Sequence, residues 1–133
     1  MIISIDFDGT VVKGDNYPEI GELQPFAATV IKGWRDDGHV IIFNSCRTGR
    51  YEGMAVDFLI DERIPFDYFN CNHPAQIEHF KMDCRKISAD IYIDDKQLGG
   101  LPEDWNEINR MVREHPKYDE HDTRKAHRIN GPL

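Results

Sequence analysis

The chain predicts an α/β fold, a doubly wound parallel sheet, and two observations predict it. Short β-branched runs at residues 2–6, 39–43 and 90–93 alternate with segments whose apolar residues recur at helical spacing. Three of the strands also end in polar clusters: Asp6 and Asp8, then Asn44, Ser45 and Arg47, then Asp94 and Asp95. In a parallel sheet such ends share one edge, and ligands bind there, near the point where strand order reverses.

The elements follow in order. Residues 2–6 read as a buried strand ended by Asp8-Gly9, and residues 11–24, mixing Gly, Asn, Asp and Pro with Val11, Val12 and Ile20, as a loop or small hairpin. Pro25 suits a first helical turn; Phe26, Val30, Ile31 and Trp34 recur at helical spacing before Gly38 stops the helix. Residues 39–43 give a second strand. A second helix spans 51–63, with Met54, Ala55, Phe58 and Leu59 on its apolar face, and Pro65 ends it. Residues 66–70 form a short third strand, 71–86 an irregular polar stretch with a short helix near Gln76–Phe80, and 90–93 a fourth strand. Trp105, Ile108, Met111 and Val112 mark a last helix over 103–114. Residues 1–115 thus make one domain. Residues 116–133 are a polar tail without apolar periodicity, suited to solvent or to an oligomer arm.

Composition narrows the function classes. With 133 residues the chain can bury a proper core, and no run approaches a membrane span. The first residues lack a basic region with a small-residue cleavage site, so no secretory leader is expected. The formal net charge of -8 argues against a broad nucleic-acid footprint, though a few Arg and Lys can still outvote it inside a cleft. Three cysteines without a Cys-x-x-Cys point to no disulfide framework and to a reducing cytoplasm.

Two acidic pairs on one sheet edge repel each other and resist burial. A hard divalent cation resolves the repulsion, and oxygen ligands at this density suit magnesium, which keeps waters and welcomes a phosphate as a further ligand. Ser45, Lys86 (eight positions before Asp94) and the backbone amides around Phe7, Gly9, Thr10 and Cys46 are candidates to hold that phosphate. Asp6 then reads as a nucleophile on phosphorus with one oxygen on the metal. Asp8 points the same way if strand geometry continues, far enough out to protonate a leaving oxygen and later to activate water. Gly9 permits a sharp turn and Phe7 points into packing.

Asp6-Phe7-Asp8-Gly9-Thr10, a Ser after the second apolar strand, a Lys, and an Asp-Asp pair after a later strand together resemble the haloacid dehalogenase superfamily of phosphotransferases. The resemblance covers residues 1–100 and implies a three-layer, Rossmann-like sheet and an aspartyl-phosphate mechanism. Asp6 would form the covalent intermediate. Asp8 would be the general acid and base, with its main-chain carbonyl on the metal. Ser45 would bind the transferring phosphoryl group, and Lys86 would stabilise Asp6 and the phosphate. Asp94 and Asp95 would hold magnesium, Asp95 directly and Asp94 through water or Lys86. Most members carry an inserted cap; residues 11–24 and 48–85 leave no room for a large one. The chain is similar to small capless hydrolases, whose open sites often take large substrates or rely on a partner, so an oligomer that closes the site fits this reading.

Residues 71–86 resemble the zinc loop of heptose-bisphosphate and histidinol-phosphate phosphatases. Cys71, His73 and Cys84 match, but Met82 stands where another cysteine belongs, and three ligands do not close a structural zinc site. His79 is a substitute fourth ligand; ordinary half-buried cysteines are the preferred reading.

Arg47 and Arg50 could grip a second phosphate or a carboxylate of the substrate, or pair with surface acids, Arg50 more readily the latter. Cys46 reads as a small buried filler without a nucleophile's partner. Lys13 and Tyr17 flank the site, Trp34 and Trp105 read as core, and His121 and His127 as solvated. The leading expectation is a magnesium-dependent phosphomonoester hydrolase. The alternative is a phospho-acceptor domain of the receiver type, or a binding module on the same fold. A receiver needs its acceptor Asp after the third strand, and that strand, FDYFN, offers only Asp67.

Overall fold

The computed structural model describes residues 1–118, and the tail residues His121 and His127 lie outside that range. Four parallel strands, β1 (Ile2–Asp6), β2 (Val40–Asn44), β3 (Tyr68–Phe69) and β4 (Ile91–Ile93), form one sheet in the order β3-β2-β1-β4. The chain steps from β1 outward through β2 to β3, then crosses back to place β4 on the other side of β1. The reversal therefore falls between β1 and β4, where Asp6 and Asp94 emerge. Among the described residues no helix is long and apolar enough to cross a membrane.

Side-chain alternation sorts the sheet into two unequal faces. Ile3, Ile5, Ile41, Phe43 and Ile93 join α1 (Ala27–Asp36), α2 (Gly49–Asp61) and α4 (Trp105–Arg113) in the main core. Trp34 and Trp105 meet there with ring centroids 5.9 Å apart. Phe7, buried as its spacing implies, packs edge-on to Phe43 and Phe58. The opposite face holds a smaller cluster of Ile2, Val40 and Ile42, plugged by Ile87 from the segment that carries α3 (Pro74–Phe80). Asn72 ties that segment together, accepting from Ser88 N–H at 2.7 Å and donating to the Cys84 carbonyl at 2.9 Å.

Several boundaries differ from expectation. The first helix starts at Ala27 because Phe26 takes a left-handed conformation, φ 68°, and turns the chain in. The second starts two residues early, at Gly49, with Thr48 extended before it. The third strand shrinks to Tyr68–Phe69 because Asn70 is left-handed, φ 55°, and ends it. Residues 11–24 do form a small hairpin-like turn, with Val12 bridged to Leu23.

Candidate functional site

Thr10 organises the loop after β1. Its hydroxyl donates to Asp6 Oδ2 at 3.0 Å and accepts from the Asp95 backbone N–H at 3.1 Å. Its carbonyl accepts the buried Trp105 indole N–H at 3.1 Å. One residue thus fastens the first loop to the turn after β4 and to α4. Gly9 is required beside it: its φ is +85°, and a Cβ there would stand 2.4 Å from Asp95 Oδ2.

Around this anchor Asp6, Asp94 and Asp95 gather, each offering a carboxylate oxygen within 4.8 Å of the others. Among the described residues no other acid, His or Cys set lies close enough to share an ion. Burial, a hydrogen bond shared with Asp95 and the charge of Asp94 together push the Asp6 carboxyl up to about 7, against a small opposing pull from Thr10. Asp94 is held from below, its Oδ1 accepting from Lys96 N–H at 2.9 Å. A compact set of hard oxygens, half-buried at Asp6 and Asp94 and exposed at Asp95, suits a magnesium ion in charge and ligand type. The fit rests on the donor chemistry and on the burial and acidic neighbours that lift Asp6.

Asp8 leaves this group. Its two oxygens accept from Arg47 Nε–H at 2.7 Å and from Arg47 Nη2–H at 2.8 Å, a bidentate pair. The Arg47 guanidinium has no exposed side-chain surface. Its remaining donors reach the carbonyls of Pro18 at 2.8 Å, Tyr51 at 3.3 Å and Glu19 at 3.4 Å, and Phe7 and Tyr17 flank it at 5.6 and 4.9 Å. All five N–H groups are engaged, so the expectation that Arg47 grips the substrate is corrected: no donor remains, and its partner is neither substrate nor a surface acid.

The Ser45 loop is held by a residue that sequence reasoning missed. Asn70, at the end of β3, accepts from the Ser45 N–H at 2.7 Å and donates to the Arg47 carbonyl at 3.3 Å and to Glu52 at 3.0 Å. An Asn at φ 55° just past a strand tip is the available signal, since Asn tolerates the left-handed region and bonds nearby backbone. Ser45 Oγ accepts from Arg47 N–H at 3.0 Å and keeps its own proton to donate.

Other expectations need correcting. Cys46 is exposed, not a buried filler. The amides of Gly9 and Thr10, expected to cradle phosphate, donate instead to the carbonyls of Val12 at 2.8 Å and Phe7 at 3.2 Å, because the turn closes on itself. Lys86 is exposed with its amine 5.3 Å from the Tyr92 ring centroid, and no ion pair joins it to the acidic group among the described residues. Tyr92 pairs with Ser4, two residues before Asp6 on the same face, so Lys86 stands on that face without reaching the cluster. Cys71, His73 and Cys84 do not converge; His73 Nδ1 caps α3 by accepting from Ala75 N–H at 3.0 Å. Arg50 lies at the surface against Tyr51, and Lys13 pairs with Glu22 at 3.1 Å.

No protein-family model matches the chain, and no curated protein is significantly similar to it. A solved structure, described as that of a conserved protein from Bacteroides thetaiotaomicron, is similar: it is 36% identical, the match covers 89% of this chain and 93% of that one, and the TM-score is 0.77.

Proposed function

We propose that this chain, which belongs to the same family as the conserved protein from Bacteroides thetaiotaomicron, is a magnesium-dependent phosphomonoester hydrolase of the haloacid dehalogenase type. The observation that carries the proposal is the gathering of Asp6, Asp94 and Asp95 at the switch point between β1 and β4, with the Asp6 carboxyl raised to about 7 by burial and by its acidic neighbours. Carboxylates buried and crowded in this way favour a bound cation, which supports the reading.

Asp6, Asp94 and Asp95 would hold the magnesium, which when bound neutralises their charge and that of a phosphoryl oxygen. Ionised Asp6 attacks phosphorus, forming an O–P bond as the bond to the leaving oxygen breaks. Thr10 holds Asp6 Oδ2 in place through its hydroxyl, leaving the other oxygen to react. Ser45 donates its free hydroxyl proton to a non-reacting phosphoryl oxygen. Asp8 delivers a proton to the leaving oxygen, then takes one from the water that attacks phosphorus and frees Asp6 and inorganic phosphate.

The Arg47 pair bears on that cycle. Ionised Asp8 keeps a second lone pair on each oxygen and can accept a proton from water where it stands. Protonated Asp8 forfeits one of its two Arg47 bonds, so the acid step requires the carboxyl to turn partly away from the guanidinium. Lys86 joins the site only if its flexible side chain leaves the Tyr92 ring.

A receiver-type domain is the second reading. Its acceptor would have to be Asp67, which instead accepts from Ile41 N–H at 2.9 Å and pairs with Arg35 at 3.1 Å before β3 begins. These bonds favour the hydrolase. Release of phosphate from an aryl phosphate, with and without magnesium, for the wild type and for Asp6→Asn, tests the proposal. Turnover that needs magnesium and falls by about a thousandfold or more in Asp6→Asn is expected. Absence of both turnover and a beryllofluoride adduct on Asp6 would overturn it.

A further inference from the structure

A cavity of about 460 Å³ opens beside the acidic group, lined by its Asp95 and by Thr10, whose hydroxyl bonds Asp6. Its walls come from two segments that the proposed chemistry does not use. On one side the hairpin-like turn contributes Lys13 and Gln24. On the other the segment between β4 and α4 contributes Leu101, Pro102 and Glu103, with Trp105 at the base. We infer that this cavity receives the body of a small polyhydroxylated phosphomonoester, a sugar or polyol phosphate, whose phosphoryl group lies at Asp6. The inference rests on the hydrolase reading and adds its substrate class.

The cavity is built, not an accident of loose loops. Lys13 N–H donates to the Glu22 carbonyl at 2.8 Å and Gln24 N–H to the Val11 carbonyl at 2.8 Å, fixing the first wall. The Trp105–Thr10 bond fixes the second against the loop that bears Asp6. Its volume lies within the range of small-molecule sites, roughly 300–1,000 Å³. A folded protein domain or a duplex would not enter it.

Its chemistry favours hydroxyls. The Gln24 amide and the Glu103 carboxylate make no side-chain hydrogen bond among the described residues, so both are available to a ligand. An amide both donates and accepts and a carboxylate accepts, which suits neighbouring hydroxyl groups. Leu101 and Pro102 supply an apolar strip for a C–H face. A nucleobase would instead want an exposed ring to stack on. The one ring in the wall, Trp105, is only 1% exposed, so no such platform exists in this cavity.

The test compares kcat/KM, in magnesium, for an aryl phosphate, glycerol 3-phosphate, glucose 6-phosphate, a 3′-phosphorylated oligonucleotide and a phosphoserine peptide. Wild type, Gln24→Ala and Glu103→Ala are each measured. Sugar or polyol phosphates are expected to be the best substrates. Each substitution should raise their KM and lower their kcat/KM by about tenfold relative to the aryl phosphate, the worth of a hydrogen bond or two. If the oligonucleotide or peptide is preferred, or if both variants treat all substrates alike, the cavity assignment is wrong while aryl phosphate turnover keeps the hydrolase reading intact. If aryl phosphate turnover and the Asp6 adduct both fail, the hydrolase reading falls and the substrate class falls with it.

Discussion

On the β2 side of β1 a carboxylate meets a guanidinium; on the β4 side three carboxylates meet one another. Asp8 and Asp6 are only two positions apart, yet their surroundings are opposite. Asp8 has both oxygens answered by Arg47, which is itself fully bonded. Asp6 has a single hydroxyl, Thr10, against two acids. The first arrangement is electrostatically complete within the chain, and the proposed acid step has to disturb it. The second lowers its energy only by holding a proton or meeting an external cation, which is the property a metal site requires.

Breaking the complete side should have the larger effect. Arg47→Met leaves Asp8 beside an apolar side chain and takes the guanidinium donor from the Pro18 and Glu19 carbonyls, and is expected to cost about 3–5 kcal/mol in urea unfolding. Arg47→Lys should restore little of it, since an ammonium cannot make the bidentate pair. Next comes Gly9→Ala, which sharpens the other side. A left-handed backbone costs an L-residue about 1–2 kcal/mol, and the new methyl displaces Asp95. The magnesium concentration for half-maximal activity should rise about tenfold or more, the scale seen when a metal site's geometry is disturbed. An unchanged magnesium requirement would remove Asp95 from the site.

Asn70→Gly keeps the left-handed backbone and deletes only the amide, so it isolates the bonds to Ser45, Arg47 and Glu52. A loss of about 1–2 kcal/mol in stability is expected, with a lower kcat as the Ser45 loop loosens. The smallest effect is with pH. Asp6 binds its proton more tightly folded than unfolded, so its contribution to the stability of the magnesium-free protein is fully present below about pH 4 and is lost as pH rises through about 7. Scanning fluorimetry should register a fall of a few degrees in Tm at most, because Asp6 keeps some solvent. Magnesium should reverse this contribution and Asp6→Asn should remove it; a wild-type profile that matches that of Asp6→Asn would show that Asp6 is not perturbed.

The same contrast explains what the sequence disclosed. The strand order β3-β2-β1-β4 depends on how distant segments pack, whereas the succession of strands and helices and the meeting of Asp6 with Asp94 and Asp95 follow from apolar periodicity and the rule that parallel strands end on one edge. The buried Trp34 and Trp105 were legible on their helix faces for the same reason. The Asp8–Arg47 pair was not, because 39 residues separate the partners and Arg47 is the kind of residue that usually sits at the surface. Nor was the closure of the Gly9 and Thr10 amides onto Phe7 and Val12, since a turn and a phosphate cradle use the same residue types. The position of Lys86 depends on how the 71–86 segment packs across the second face, where short helix and loop carry little periodicity.

The bond from Trp105 to Thr10 also has a meaning in time. Its partners are 95 positions apart, and Asp95 joins the same threonine from 85 positions away. Chains emerge from the ribosome with the amino end first, so Asp6 and Asp8 appear long before the residues that complete their surroundings. Until Asp94 and Asp95 arrive, Asp6 has no acidic neighbours to crowd it, and the early strands can pair without that repulsion. The costly contact forms last, once α4 is available to anchor the loop that bears it, so a chain truncated before α4 would lack the anchor as well as a helix of the core.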